Sequence, residues 1–230
     1  MTKPDFESQR RAEFYDKNVR QTIPFYETIQ HETIDLVRYL KPDVSCWLDT
    51  GCGTGFLVEQ ALAVFPNARF VLADPSDGML VETRKRLSGA DSRVRFLDAV
   101  KSANIVWPDD EAQPQVITAI LSHHYSSREK RIKSVETCHR ILAAGGLFVT
   151  FENVAPYTDL GIAKGLERWG QYQEERGRSG EVVKKHLQRY DTAYFPIRID
   201  EHIALLRDTG FSIVELLWYS HMQAGFYAIK

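Results

Sequence analysis

WLDTGCGTGF, at residues 47–56, joins a short apolar run to an amphipathic segment through three closely spaced glycines. Glycine at such a junction lets the backbone turn sharply from a strand into a helix and pass close to a ligand. Dinucleotide-binding loops space their glycines as G-x-G-x-x-G. This loop has the spacing G-x-G-x-G, with Phe56 at the last dinucleotide position. The stretch predicts a ligand-binding turn that differs from a pyrophosphate loop.

Apolar runs alternate with amphipathic segments on both sides of this loop. Between residues 44 and 152 the runs are CWLDT, ARFVLADP, RVRFLDA, VITAIL and LFVTFE, and SIVELLWYS and AGFYAIK follow near the end of the sequence. Strands that alternate with helices form right-handed crossovers within one sheet. The pattern predicts an α/β fold with a doubly wound, mostly parallel, seven-stranded sheet that carries a helical cap.

The same pattern divides the chain into four parts. Residues 1–43 are predicted to form an N-terminal helical lid segment, and residues 44–152 are predicted to form the cofactor-binding α/β core. Residues 153–199 are rich in charged and aromatic side chains and predict a helical cap insert. Residues 200–230 complete the predicted core with a last helix and a closing pair of strands.

Composition limits the classes of function. The 230 residues are 43% hydrophobic and 26% charged, a balance typical of a globular protein. A formal net charge of −2 provides no broad basic field, so a nucleic-acid partner is not expected, although a local patch would leave the sum unchanged. The three cysteines lack CxxC or metal-ligand spacing, which predicts a reducing compartment and no metal site. Since no apolar run approaches about 20 residues, we expect a cytoplasmic protein without a membrane span.

An acid stands at the end of each of the first three predicted strands. Asp49 lies two residues before the first glycine, where it would repel a pyrophosphate and attract an ammonium group. Asp74 can accept both hydroxyls of a ribose, although a cap for the next helix explains it equally well. Asp98 can accept from the exocyclic amine of adenine, although alone it is an ordinary surface acid. Together with the glycine loop, the three acids favour an adenosine-bearing ligand.

Taken in this order, the residues resemble those of the class I S-adenosylmethionine-dependent methyltransferases. LDTGCGTG is similar to the first motif of that family, and ILSHHY and HRILAAGGLFVTFE resemble later segments. The resemblance implies a Rossmann-like fold, with methyl transfer from S-adenosylmethionine to an unidentified small-molecule substrate and S-adenosylhomocysteine as product. The cofactor-binding residues that it implies are Tyr26, Asp49, Gly51, Cys52, Gly53, Gly55, Asp74, Pro75, Met79, Asp98, Ala99 and Ala119.

A narrower likeness extends over nearly the whole chain. RQTIPFYET, RDTGF and WYSHMQAGFYAIK are similar, in order, to segments of the carboxy-S-adenosylmethionine synthases of tRNA wobble-uridine modification. The chain departs from them in its glycine-rich loop and at Ala119, where they carry asparagine. Arg176 and Arg178 lie near the arginine that binds their extra carboxylate, but neither aligns cleanly with it. Carboxy-S-adenosylmethionine synthesis, or tRNA modification on the same fold, is therefore the alternative prediction.

The acceptor side is predicted from side chains that follow the fourth strand and end the fifth. The candidates for binding the acceptor or removing a proton from it are His123, His124, Tyr125 and Glu152. Of these, His124, Tyr125 and Glu152 form the predicted catalytic set. A His-His pair after a strand is more often a packing feature, and Glu152 could instead pair with a basic residue of the insert. The aromatic insert could cover a substrate pocket or mediate a homodimer.

Overall fold

The computed structural model describes residues 14–230. Its helices are α1 (Tyr15–Thr22), α2 (Tyr26–Leu40), α3 (Phe56–Val64), α4 (Asp77–Arg86), α5 (Arg128–Ile141), α6 (Asp159–Glu175), α7 (Gly180–Leu187) and α8 (Ile199–Thr209). Its strands are β1 (Cys46–Thr50), β2 (Arg69–Ala73), β3 (Val94–Phe96), β4 (Val116–Ile120), β5 (Leu147–Asn153), β6 (Ile213–Ser220) and β7 (Gln223–Ile229). Short 3₁₀ turns lie at Ser102–Asn104 and His123–Tyr125.

The seven strands form one sheet in the order β3-β2-β1-β4-β5-β7-β6. The first five strands are parallel, and β7 runs antiparallel to both β5 and β6. The strand order reverses between β1 and β4, so a crevice opens beyond the carboxyl ends of these two strands. The structure confirms the predicted doubly wound, mostly parallel, seven-stranded α/β sheet.

The central strands β1, β4 and β5 are buried on both faces, which explains their mainly apolar sequences. Side chains alternate between the faces, so Trp47 of β1 packs in one core cluster and the adjacent Leu48 packs in the other. The first cluster also contains residues of α2 and α3, and the second contains residues of α5 and α8.

The segment after β5 forms α6 and α7, and α6 packs against the N-terminal helix α1. Trp169 donates a hydrogen bond from its indole Nε1 to the backbone oxygen of Thr22 at 2.6 Å. Tyr172 donates from its hydroxyl to the backbone oxygen of Arg20 at 3.3 Å. These bonds join the end of α1 to the insert, although more than 100 residues separate the two in the chain. Within residues 14–230, none of the helices combines the length and the apolar character that a bilayer span requires.

Candidate active site

Two adjoining cavities lie where β1, β2 and β4 end. The larger has a volume of about 360 Å³ and the smaller a volume of about 30 Å³. Both are lined by Tyr15, Gly51, Gly53, Ile120 and Leu121, so they lie on two sides of the same residues. This is the crevice where open α/β sheets hold their ligands, at the point where strand order reverses.

The glycine loop forms the floor of this space through its backbone. Gly51 and Cys52 both donate their amides to the oxygen of Ala73, at 2.7 and 3.1 Å. Gly53 donates its amide to Asp74 Oδ2 at 3.0 Å. These three amides are therefore already satisfied within the protein and do not face a phosphate, unlike the amides of a pyrophosphate loop. The bonding supports the prediction that this loop is not a dinucleotide loop.

Gly51 is the tightest point of the loop. Its φ of +75° lies in the left-handed region that glycine adopts most readily. A Cβ at this position would lie 2.5 Å from the Cβ of Ser122. Only a backbone without a side chain allows β1 and the segment after β4 to approach so closely.

Asp74 lies in the wall of the larger cavity and is 7% exposed. Besides the amide of Gly53, its carboxylate accepts the amide of Ser76 at 2.8 Å through Oδ1. Ser76 itself caps α4, since its hydroxyl accepts the amide of Met79 at 3.3 Å. The helix cap is therefore Ser76. Each oxygen of Asp74 keeps one lone pair for a ligand hydroxyl.

Asp49 lies in the wall of the smaller cavity, 2% exposed. Thr118 donates its hydroxyl to Asp49 Oδ1 at 2.6 Å and receives the indole N–H of Trp47 at 3.0 Å, which orients the carboxylate. Burial raises the pKa of Asp49 to about 7, with a further contribution from Asp74. Gln30 of α2 lines the same cavity, and its Oε1 has no hydrogen-bond partner among the described residues. Two acceptor groups thus face one small space, an arrangement that suits an ammonium group.

Aromatic side chains of the N-terminal helices cover the glycine loop. Tyr26 lines the smaller cavity and stacks on Phe56 with a centroid distance of 5.8 Å. The Arg20 guanidinium lies 4.8 Å from the centroid of Phe56. Tyr15 contributes to both cavities. Neither Tyr15 nor Gln30 was predicted as a site residue; the aromatic, charged composition of their segment was the available signal.

The structure places the other predicted cofactor residues unequally. Pro75 and Met79 line the larger cavity, and Cys52 lines the smaller. Gly55 stands behind the loop, where an added Cβ would lie 2.5 Å from Thr83 Cγ2. The remaining three predicted residues lie outside the two cavities: Asp98 is exposed, Ala99 lines an adjoining cavity, and Ala119 packs in the core.

The predicted acceptor-side residues separate into a buried pair and a lining group. His124 Nδ1 lies 2.7 Å from Glu152 Oε2, and both side chains are 1% exposed. Glu152 also accepts the amides of His123 and His124, at 3.2 and 2.8 Å. Burial acts to raise the pKa of Glu152, but the hydrogen bond from His124 and the nearby histidines outweigh it and lower the pKa to about 2. This pair orients the turn at His123–Tyr125 and lines neither cavity.

The turn itself reaches the larger cavity through Ser122, His123 and Tyr125. Ser122 Oγ and His123 Nε2 are buried and have no hydrogen-bond partner among the described residues. Leu121, just before the turn, has φ of +54° and a backbone hydrogen bond from its amide to Phe151 at 2.6 Å. A non-glycine residue in this region is strained, and such strain concentrates where a backbone is held for function. His123 was among the side chains considered from the sequence, whereas Ser122 was missed because its position depends on this strained turn.

The arginines of the insert point elsewhere. Arg178 donates to the hydroxyl of Thr22 at 2.8 Å and also contacts Gln173. The Arg176 guanidinium lies 5.2 Å from the ring centroid of Tyr172. Neither arginine lines the two cavities. No group of three or more metal-ligating side chains is assembled within the described part of the chain.

Part of the chain matches a known protein family. Residues 48–146 match the family described as a methyltransferase domain. The carboxy-S-adenosyl-L-methionine synthase of Helicobacter hepaticus is 22% identical over 212 residues, which cover 90% of this chain and 87% of that protein.

Two solved structures share the fold at low sequence identity. An O-methyltransferase family 2 protein from Planctomyces limnophilus, solved in complex with apigenin, has a TM-score of 0.67 at 13% identity over 96% of this chain. Human N-acetylserotonin methyltransferase, solved in complex with S-adenosylmethionine, has a TM-score of 0.60 at 14% identity over 97% of this chain. The present chain spans 61% and 55% of those two proteins. Residues 48–146 thus match a methyltransferase domain, and the chain shares the fold of these solved methyltransferases, as its sequence predicted.

Proposed function

We propose that the chain binds S-adenosylmethionine in the two adjoining cavities and methylates a small-molecule acceptor. One observation carries the proposal: Asp49 and Gln30 line the smaller cavity, and Asp74 lines the larger cavity next to it. Asp49 and Gln30 suit the ammonium of the methionine part, and Asp74 suits the ribose hydroxyls. S-adenosylmethionine supplies a methyl group on a positively charged sulfur, so the donor arrives already activated.

The protein's own contribution is alignment and exclusion of water. Tyr15 and Leu121 line both cavities and therefore flank the junction between them. Holding two reactants in line removes much of the entropic cost of their encounter, and this effect can supply most of the rate for an activated donor. The strained backbone at Leu121 fits this positioning role.

His123 and Tyr125 are the groups we assign to the acceptor side. Burial lowers the pKa of His123, so the ring stays neutral near pH 7 and its Nε2 can accept a proton from an acceptor hydroxyl or amine. His124 and Glu152 act as positioning residues, because Glu152 holds the amides of His123 and His124 in place. The predicted catalytic set of His124, Tyr125 and Glu152 thus divides into one contacting residue and one supporting pair.

The N-terminal segment and the insert act as the lid of this site. The lid assignment is supported by Tyr15 and Tyr26, which line the cavities, and by the bonds from Trp169 and Tyr172 to the end of α1. We also infer a cytoplasmic location, because Cys46, Cys52 and Cys138 are all free thiols, as in a reducing compartment.

Calorimetric titration tests the proposal directly. S-adenosylmethionine, S-adenosylhomocysteine and NADH are titrated separately into the purified protein. We expect binding of the first two at micromolar concentrations and no binding of NADH. NADH binding without a response to the adenosyl ligands would make the cavities a dinucleotide site and contradict the proposal.

Carboxy-S-adenosylmethionine synthesis is the second candidate. One observation favours it: Arg189 of the insert places its guanidinium 6.0 Å from the ring centroid of Tyr125, which lines the larger cavity. A cation in this position could pair with a carboxylate on the ligand. Mass spectrometry of the ligand released from freshly purified protein distinguishes the two candidates. A mass increase of one carboxylate over S-adenosylmethionine would favour the second, whereas the unmodified cofactor or its demethylated product favours the first.

A further inference from the structure

A third cavity, of about 490 Å³, opens beside the larger cofactor cavity. The two share Pro75, Lys101, Ser126 and Ser134 in their walls, so they adjoin. Ser126 directly follows Tyr125, which we assign to the acceptor side. Ser126 lines both cavities, so the third cavity lies next to the part of the larger cavity that Tyr125 lines.

Three lysines line this third cavity, which we call the lysine cavity: Lys101, Lys130 and Lys133. No aspartate or glutamate is among its described lining residues. The lysine ion pairs found within residues 14–230 belong to other lysines: Lys85, Lys164 and Lys185. Like charges gathered around a concave surface repel one another and create a positive potential there. An anion in the lysine cavity would relieve this repulsion.

Two of these lysines, Lys130 and Lys133, lie near the N-terminus of helix α5. Its sequence begins REKRIK, so four of its first six residues are cations and one, Glu129 in the first turn, is an acid. The N-terminus of a helix carries a partial positive charge and favours acids, and cations there cost stability. The side chain of Ser127, the N-cap residue, makes no capping hydrogen bond. Within this run the buried Arg131 donates to the backbone oxygen of Phe195, whereas Lys130 and Lys133 line the lysine cavity. An anion in that cavity would compensate the charge of these two lysines.

We propose that the lysine cavity binds a phosphate group carried by the methyl acceptor. The inference rests on the proposed function, since it identifies the ligand of the lysine cavity with the acceptor. Lysine binds phosphate as a point charge, and Ser126 and Asn104 add a hydroxyl and an amide donor in the same wall. The cations line a cavity on a chain of net charge −2, and not a long basic stripe, so a compact phosphoester fits better than a nucleic-acid backbone.

A double variant with a matched control tests the proposal. Lys130→Gln combined with Lys133→Gln removes two charges that line the lysine cavity but neither cofactor cavity. Lys184→Gln removes a similarly exposed lysine from α7. The probes are inorganic phosphate, followed by phosphorus NMR, and a short single-stranded oligouridylate, followed by fluorescence anisotropy, in low-salt buffer. S-adenosylmethionine is titrated into every variant by calorimetry.

We expect phosphate to bind the wild-type protein and to bind the double variant about tenfold more weakly, with Lys184→Gln unchanged. Equal phosphate affinity in the wild type and the double variant, with the cofactor bound normally, would overturn the proposal that the lysine cavity binds phosphate. It would leave the proposed function unaffected. Failure of the wild-type protein to bind S-adenosylmethionine would instead overturn the proposed function and, with it, the assignment of the phosphate to an acceptor. If oligouridylate bound far more tightly than phosphate and with a steep salt dependence, the ligand would be RNA. That result would overturn the proposal of a compact phosphoester.

Discussion

Asp16 of α1 accepts a hydrogen bond from the hydroxyl of Thr54 at 2.6 Å, so the N-terminal helix is fastened directly to the glycine loop. Arg86 of α4 completes the contact, since it pairs with Asp16 and donates to Thr54 at 3.2 Å. The three side chains link the proposed lid to the cofactor loop. They also place Tyr15, next to Asp16, over Gly53.

Substituting Asp16 by alanine should loosen the lid. We expect a loss of about 1 kcal/mol in S-adenosylmethionine binding, or about fivefold in Kd, because the loop and α1 lose a shared charged partner. Calorimetry measures the change. Asp35→Ala is the matched control, since Asp35 pairs with Arg38 on the exposed side of α2. Equal affinities for Asp16→Ala and the wild-type protein would contradict a closing role for α1.

Cofactor affinity should rise with pH through the pKa of Asp49. Burial raises that pKa to about 7, so the free protein holds a neutral carboxyl group below this pH. A ligand ammonium favours the carboxylate, so binding near pH 6 must release a proton and should be weaker than near pH 7.5, where most of the ligand's α-amino group, with a reference pKa of about 7.7–8.0, is still protonated. Calorimetry in buffers of different ionisation enthalpy measures the released proton. Asp49→Asn should bind weakly at every pH, and a wild-type affinity that does not change with pH would refute the role of Asp49.

Substitutions of Asp74 and Asp98 should have very different effects on cofactor affinity, although both residues were predicted to bind the cofactor. Asp74→Ala removes a carboxylate from the cavity wall and should weaken binding of S-adenosylmethionine by roughly 1–3 kcal/mol. Asp98→Ala changes an exposed side chain outside both cavities and should cost less than about 0.5 kcal/mol. Affinities measured on the two purified variants decide the matter. A larger effect at Asp98 would mean that the adenine contact predicted from the sequence forms once the cofactor binds.

Gly51→Ala should disrupt the site by collision with Ser122, whose Cβ would lie 2.5 Å away. Gly89→Ala is the control, because Gly89 also has positive φ, +97°, but has no atom within 4 Å of an added Cβ. The control should cost only about 1–2 kcal/mol of left-handed strain and leave cofactor binding intact. Combining Gly51→Ala with Ser122→Gly should restore part of the binding. No rescue in the double variant would show that the backbone conformation of Gly51, and not its contact with Ser122, is what matters.

Glu152→Gln should destabilise the fold by roughly 2–4 kcal/mol, because it leaves His124 and two backbone amides with a poorer acceptor in a buried place. The pKa of Glu152 is lowered to about 2, so its stabilising effect is complete above the unfolded-state pKa, near 4.3, and is lost as the pH falls towards 2. Urea unfolding of wild-type and variant protein at several pH values should therefore show a difference that shrinks below about pH 4. Exposed Glu215→Gln is the control. A difference that stays constant down to pH 2 would contradict this assignment.

Three features could be predicted from the amino-acid sequence: the order of strands and helices, the glycine loop, and the carboxylates Asp49 and Asp74 at the ends of β1 and β2. These features are local: hydrophobic period, chain turns and strand ends depend on neighbouring residues. Parallel strands with right-handed crossovers then bring their carboxyl ends to one edge, so the position of the crevice followed from the pattern alone.

Which side chains line the crevice depends on how the folded chain packs. Gln30 and Tyr15 line it because the N-terminal helices pack across the glycine loop, a contact over tens of residues that no local pattern encodes. Glu152 turned out to be the partner of His124 because β4 and β5 are neighbours in register. Arg178 donates hydrogen bonds to Thr22 and Gln173 and lines neither of the two cavities. Burial, pairing and charge compensation depend on what the rest of the chain brings near a residue, and so they are decided only when the chain is packed.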